Sequence, residues 1–484
     1  MPEYIIRKVN IVFKFLKKLF GGNNKVPVEK NNAPQNKKKS AQKKRNTNHP
    51  TKNNSSPAPK KKTKKPRDKK SIIPEIPKIE KPAELIEIPA AEGKKRFCDY
   101  NLSRDILLAL QCMKFEYCTQ IQELTMQHLL DGKDLAGKAQ TGTGKTAAFL
   151  IAAFNHILNN PLENQQNGCP RCLILAPTRE LAMQIHKDAQ NIGIFTGLRS
   201  VVVFGGMDHA KQRFALDDKV DILIGTPGRI IDYSNTHSLN LSKVEILVID
   251  EADRMLDMGF IPDVRRIVVR LPRKEQRQTM FFSATLDNHI LSLASDWLRD
   301  PIMLESDPDK LVGELIKQSF YTVAGNEKLA VLLHIINNYQ YDRMLIFGNR
   351  KDVNLRLERD LAKYGVKIML LSGDVPQEKR IRILEKFRSG EGKILLATDV
   401  AARGIHVDNV SLVVNYDLPE RPDDYVHRIG RTGRAGKEGE AISFICEYGA
   451  YNLEPIEKLL NTRFPSTLPP EEMLILPPRV DKKG

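Results

Sequence analysis

Cysteine is scarce in this 484-residue chain: there are six, and none recurs at a fixed spacing. That argues against the disulfide framework of a secreted protein. Cys169-Pro-Arg-Cys172 is a lone C-x-x-C at the start of an apolar stretch, and without a second pair it falls short of the four ligands of a structural zinc site. No apolar run approaches the length of a membrane span, so the expected compartment is the cytoplasm. Acidic residues are nearly missing from the first 70 positions, which hold 22 basic and three acidic residues, a charge of +19. The whole chain carries +17, so residues 71–484 sum to −2. Basic character therefore belongs to an N-terminal extension, where a polyanion would be held non-specifically. Aromatic residues are almost absent from 23–93, a stretch of Lys, Asn, Pro and Ser that cannot bury enough apolar surface to order its backbone. A disordered linker is expected there, with the Ile-Pro-Glu-Ile-Pro-Lys-Ile-Glu-Lys-Pro run after Ser71 as a stiff, extended spacer.

Ahead of that linker, residues 4–20 fit a basic amphipathic helix. Lys17, Asn10, Glu3, Lys14, Arg7 and Lys18 share one arc; Ile5, Val9, Val12, Phe13, Leu16, Leu19 and Phe20 lie opposite, and only Lys8 is misplaced. Lysines interrupt the apolar run, which makes a poor signal peptide. Such a helix suits docking on the inner face of a membrane or in a partner's groove, or packing on its own catalytic body.

The chain is organised around Ala139-Gln140-Thr141-Gly142-Thr143-Gly144-Lys145-Thr146. A short apolar stretch, Asp134–Ala139, leads into it, and a helical stretch, Thr146–Leu158, follows. Strand, glycine loop, Lys-Thr and helix is the layout of a phosphate-binding loop, although Ala139 stands where the usual pattern has glycine. Gly142 and Gly144 let backbone N–H groups turn inward around phosphate oxygens at the positive end of a helix. Lys145 would reach the β- and γ-phosphates of a nucleotide such as ATP, and Thr146 would offer a hydroxyl to Mg²⁺.

From Lys94 the composition becomes globular. Apolar strands alternate with helical patterns at Cys172–Ala176, Ser200–Phe204, Asp221–Ile224, Glu245–Ile249 and Gln278–Ser283. That alternation predicts a parallel sheet covered on both faces, with ligands at the carboxyl ends of its strands. Ile246-Leu-Val-Ile249 runs straight into Asp250-Glu251-Ala252-Asp253. Asp250 at the rim can hold Mg²⁺, and Glu251 beside it can orient or deprotonate a water. Alone, four such residues would often be an acid-rich helix start; coupled to the glycine loop they read as a nucleotide site.

These motifs resemble those of the DEAD-box RNA helicases over about residues 95–465. The resemblance implies an α/β chain of two tandem RecA-like domains, an ATP-binding domain 94–306 and a second domain 316–465; composition adds the basic helix 1–22, the disordered linker 23–93, a polar hinge 307–315 and a Pro-rich tail 466–484. It implies that Gln122 bonds adenine with Phe97 stacked on it and Thr119 nearby, although Lys114 stands where glycine is common, and Cys118 and Gln120 where prolines are. RNA-backbone contacts would come from Thr178, Arg179, Gly206, Thr226 and Arg229 in the first domain, and from Asn349, Arg350, Gly373, Arg380 and Thr398 in the second. Asp253, Ser283, Thr285, Asp399 and His427 would couple hydrolysis to strand separation, and Gly404 would touch nucleotide. Arg431 and Arg434 match arginine fingers that neutralise charge on the γ-phosphoryl group. No second phosphate loop occurs, so the second domain is expected to complete the first one's site.

His406, paired with Cys118-Thr119, and the blocks Asp424–Gly436 and Ala450–Glu457 are similar to a subgroup that works in bacterial RNA-decay assemblies with an endoribonuclease. The implied activity is ATP-dependent local unwinding of short RNA duplexes in mRNA degradation; ribosome assembly, a slow nucleotide-gated RNA clamp and a DNA-acting helicase are the alternatives. The sequence gives no sign of oligomeric state.

Overall fold

Four-residue runs such as Cys172-Leu-Ile-Leu175 and Ile246-Leu-Val-Ile249 are buried along their whole length. A strand apolar on both faces needs both faces covered, and that condition selects a parallel sheet between helical layers. The computed structural model describes residues 79–139, 142–305, 316–402, 410–433 and 438–480. The expected helix at 4–20, the linker up to 78, Gln140, Thr141, the hinge, Gly404, His406 and Arg434 lie outside the described residues.

The first half contains α1 (Arg104–Cys112), α2 (Gln120–Leu130), β1 (Leu135–Lys138), α3 (Lys145–Asn159), β2 (Cys172–Leu175), α4 (Arg179–Ile192), β3 (Ser200–Val203) and α5 (His209–Leu216). It continues with β4 (Ile222–Gly225), α6 (Pro227–Asn235), β5 (Ile246–Ile249), α7 (Ala252–Asp257), α8 (Ile261–Val268), β6 (Gln278–Ser283), α9 (Asn288–Trp297) and β7 (Ile302–Glu305). The second half contains β8 (Ile316–Thr322), α10 (Lys328–Asn338), β9 (Met344–Phe347), α11 (Lys351–Ala362), β10 (Met369–Leu371), α12 (Gln377–Ser389) and β11 (Ile394–Ala397). It closes with α13 (Asp399–Ala402), β12 (Leu412–Asn415), α14 (Pro422–Ile429), β13 (Gly439–Ile445), α15 (Leu453–Leu460) and β14 (Ser466–Thr467).

All pairings are parallel, and the strand orders are β3-β4-β2-β5-β6-β1-β7 and β10-β11-β9-β12-β13-β8-β14. Advancing each label of the first sheet by seven gives the second, so the chain is a tandem pair of one topology. Each sheet separates two apolar clusters. Helix α3, almost wholly apolar after Lys145, is buried on nearly every side, with Phe149 against Phe282 at 5.8 Å. Helices buried all round carry little polar residue anywhere on their surface.

Segments at both ends of the folded body are held by specific bonds. Residues 79–93, read from composition as linker, lie as a strap: Lys81 pairs with Asp105, Ile86 N donates to Gln111 Oε1, and Arg104 donates to Ala83 O. Residues 466–480, read as a tail, begin with β14 beside Phe320 and Tyr321, bury Met473, and end with Val480 N donating to Lys363 O.

Candidate ATP and RNA site

Lys145 opens α3, and Gly144 at the N-cap has φ +98°, a conformation that favours glycine. A Cβ there would also lie 2.6 Å from Gln122 Nε2. The tight approach has a purpose: Gln122 Nε2 donates to Gly144 O (3.0 Å), Thr119 Oγ1 donates to Thr143 O (2.7 Å), and Thr119 N donates back to Gln122 Oε1 (2.8 Å). The expected adenine residues are thus clamped to the phosphate loop. Both border a cleft of about 610 Å³ whose walls include Phe97, Tyr117, Lys145, Thr146 and Asp250. Phe97 is buried and stacked on Phe115 at 6.4 Å. Ala139 is buried at the end of β1, where its N–H donates to Ser283 O.

Lys114, where the family favours glycine, adopts φ +59°. Cys118 stands where a proline would stiffen the loop, and burial pushes its thiol up to about 12, leaving it neutral. Stiffness comes instead from outside. Tyr117 OH donates to Pro89 O (2.9 Å), Arg96 donates to Ile88 O (2.8 Å), and Arg96 pairs with Tyr117 through the backbone.

Lys145 Nζ sits 2.9 Å from Asp250 Oδ1, both buried. Burial works against the lysine's charge, but Asp250, Glu251 and Asp253 outweigh it and raise its pKa. Asp250 Oδ1 also accepts from Glu251 N (2.9 Å), whereas Asp250 Oδ2 and Glu251 Oε2 are buried with no hydrogen-bond partner among the described residues. Groups left so are expensive unless something else satisfies them. A hard cation takes oxygen ligands, and the Thr146 hydroxyl with Asp250 Oδ2 suits Mg²⁺. Glu251 has φ 52° and ψ 54°, a left-handed backbone that costs a non-glycine residue about 1–3 kcal/mol. Asp253 N donates to Ser283 Oγ (3.3 Å) and Ala284 N to Asp253 Oδ1 (3.4 Å), which joins the acidic motif to the turn carrying Thr285. Burial and the charge of Glu251 raise the Asp253 pKa.

Three of the expected RNA residues, Gly206, Arg229 and Arg380, lie about a fourth, Arg179. Its pKa is lowered by burial and by the positive charges of Arg380 and Arg229, so three guanidiniums share one region. Gly206 (φ +79°) makes room for it, since a Cβ there would meet Arg179 Nη1 at 2.4 Å. Thr178 caps α4 by accepting from Leu181 N, Thr226 precedes α6, and Arg229 donates to Tyr233 OH. Gly373 and Arg350 are exposed, the latter paired with Asp352, and Thr398 is half-buried. Arg380 is buried and donates to Glu180 Oε1 (2.9 Å), Ser372 O and Ala401 O, while Gln377 bridges Glu180 and Arg179. The bonds to Glu180 and Arg179 join the two halves.

Further links were not foreseen from sequence. Arg254 donates to Asp424 (3.4 Å), and Arg421 pairs with Asp257. Arg254, Asp399, His427 and Arg431 wall one crevice; Arg431 is buried there and donates to His427 O (3.2 Å). Behind it Arg428, only 1% exposed, donates to both oxygens of Asp399 (2.6 Å each), to Asn349 Oδ1 (2.7 Å) and to Asp417 O (2.6 Å). Adjacency to the motifs was the available signal: Arg254 follows Asp253, and Arg428 stands between His427 and Arg431.

Family models match in two blocks: the DEAD/DEAH box helicase model over residues 119–293 and the helicase conserved C-terminal domain over 327–436. The ATP-dependent RNA helicase RhlB of Pseudomonas putida is 48% identical over 390 residues, 80% of this chain and 98% of that protein. The chain belongs to the DEAD-box RNA helicases. This helicase is accordingly an ATP-hydrolysing enzyme of that family. RhlB of Shewanella frigidimarina is 49% identical over 372 residues, 77% of this chain and 86% of that one. Among solved structures, Saccharomyces cerevisiae Dbp5 bound to RNA and ADP BeF3 aligns with TM-score 0.69 and 31% identity, covering 77% of the helicase and 96% of Dbp5. Mss116p bound to ssRNA and AMP-PNP aligns with TM-score 0.69 and 30% identity, covering 81% and 84%. Among the described residues, no helix of the helicase is long and apolar enough to cross a membrane.

Proposed function

We propose that this helicase binds ATP with Mg²⁺ on its first half, closes its two halves on RNA, and separates short duplexes locally in the course of mRNA degradation. The observation that carries this is the pair of buried oxygens, Asp250 Oδ2 and Glu251 Oε2, beside Lys145 at the head of α3, without partners among the described residues. Gln122 and Phe97 hold adenine, and the turn 142–146 with Lys145 holds the phosphates. Thr146 and Asp250 are the residues that would hold Mg²⁺, which supplies charge neutralisation to the phosphates. Glu251 orients the attacking water and takes its proton, a role worth about 10²–10⁴ in rate. Arg431 and Arg434 of the second half neutralise charge on the γ-phosphoryl group, and such fingers contribute about 10³–10⁵.

Arg179, Arg229, Asn349, Arg350 and the backbone at Gly206 and Gly373 bear on the RNA backbone, so sequence preference is weak. The Asp253–Ser283 contact and the Arg428–Asp399 pair relay closure between sites. The basic extension concentrates RNA near this near-neutral body, and residues 4–20 dock on the inner membrane face or in a partner's groove. The partner of the assembly is an endoribonuclease.

Steady-state ATPase with and without single-stranded RNA, beside Glu251→Gln, tests the enzyme. Strong stimulation by RNA that the substitution removes supports it; slow turnover in both proteins would favour a clamp instead. Capture of an RNA-decay endoribonuclease rather than ribosomal particles supports the place in decay, and the reverse result would move the helicase to ribosome assembly.

A further inference from the structure

The two sheets share one strand order, so each position in the first half has a counterpart in the second. Lys145 begins the helix that follows β1, the sixth strand across its sheet, and it pairs with Asp250 just past β5, the fourth. The counterpart of α3 is α10, which follows β8, also sixth across, and its first residue is Lys328. Lys328 Nζ donates to Asp417 Oδ1 at 2.5 Å, and Asp417 lies just past β12, the fourth strand of the second sheet. The second half has therefore kept the lysine–aspartate pair of the phosphate loop, although the glycine-rich loop is missing.

The surroundings of the two pairs differ where it matters. Asp250 leaves its second oxygen open beside a large cleft. Asp417 uses its second oxygen to accept from Asn349 N (3.1 Å). Gly325 N, in the loop before α10, donates to the Glu447 carboxylate, so a side chain of the same half occupies a backbone donor of that loop. Lys328 itself is buried, 4.3 Å from the Tyr416 ring centroid and 3.8 Å from Cys446 Sγ. What the first half leaves open, the second has closed with its own side chains.

We infer that Lys328 is a positioning residue: with Asp417 it forms a disused copy of the phosphate-loop pair that now fixes Asn349 at the face used by RNA. The route is short. Asp417 holds the Asn349 N–H, its carbonyl accepts from Arg428, and Leu418 O accepts from Asn349 Nδ2 (2.8 Å). Removing the ammonium leaves the Asp417 carboxylate, 23% exposed, without its counter-charge, so the 417–418 segment shifts and Asn349 loses its placement. The inference rests on the reading of Asn349 as an RNA contact.

The test is RNA-stimulated ATPase of the full-length protein, titrated with single-stranded RNA. Lys328→Met should raise the KM for RNA by on the order of tenfold, leaving kcat at saturating RNA within about twofold. Adding Asp417→Asn removes the stranded charge while keeping an acceptor for Asn349 N, and it should bring the KM back toward the wild-type value. A purely structural ion pair would lower the melting temperature without moving that KM, and that result would overturn the inference. So would a changed KM for ATP measured without RNA, because it would mean that the pair still serves nucleotide. Should Lys328→Met not fold, Lys328→Arg keeps the charge, alters the fit to Asp417 and must show the same split between KM and kcat. Asn349→Ala separates the layers: if it leaves the KM for RNA unchanged, the assignment of Asn349 is wrong; if it raises the KM while the Lys328 variants do not, only the role of Lys328 falls.

Discussion

Strand β5 carries a carboxylate at each end, and the two show how surroundings decide what an acid does. Asp250, just past its carboxyl end, shares one oxygen with Lys145 and leaves the other open. Glu245, just before its amino end, has both oxygens taken: Arg171 donates at 2.6 and 2.8 Å, and His156 bonds at 2.8 Å. Burial works against the Glu245 charge, but the bonds from His156 and Arg171 outweigh it and hold its pKa at about 2. A depressed carboxylate stabilises the fold above its unfolded pKa, and the stabilisation is lost as pH falls toward the folded value. Glu245→Gln should therefore melt below wild type at pH 7, and the gap should close between about pH 4.5 and 2, followed by thermal denaturation across that window. Asp250 was legible in the sequence because its strand and motif are contiguous. The stabilising role of Glu245 was not, because Arg171 and His156 reach it from separate elements 74 and 89 residues away.

At the level of elements, the loop before α3 shows how a local sequence signal and a tertiary constraint coincide. Gly144 is needed for its left-handed backbone and again because Gln122 and Thr119 lie against it. Gly144→Ala should cost about 1–2 kcal/mol in backbone strain alone, before the Cβ displaces Gln122. The expected outcome is weaker nucleotide binding with loss of ATP preference over GTP, measured by equilibrium titration with fluorescent nucleotides. Strands made of apolar runs are readable within a residue or two, as at β2, β5 and β6. Strands β7, β13 and β14 carry no such signal: β7 is half-exposed, β13 mixes Gly, Glu and Ser into its run, and β14 has two residues. The strap at 79–93 was read as linker because its anchors are side chains of α1 and the adenine loop, which composition cannot register.

Across the whole molecule, what the sequence left unread are the bonds between halves. Glu180 and Arg380 are 200 residues apart, and only the folded arrangement makes them partners. Glu180→Gln and Arg380→Gln should each weaken RNA-stimulated ATPase, and the double variant should lose less than the two losses combined, with a coupling of about 0.5–3 kcal/mol read from a double-mutant cycle. Independent effects would show that the link does not support closure.

The edge of the second sheet has a practical bearing on how the protein can be cut. A chain ended at Pro465 would strip β14 from β8, bare the backbone edge at Phe320 and Tyr321, and uncover the apolar site filled by Met473 and Leu474. Bare edges recruit other strands. Such a shortened helicase should form aggregates on light scattering at concentrations where the full chain remains clear.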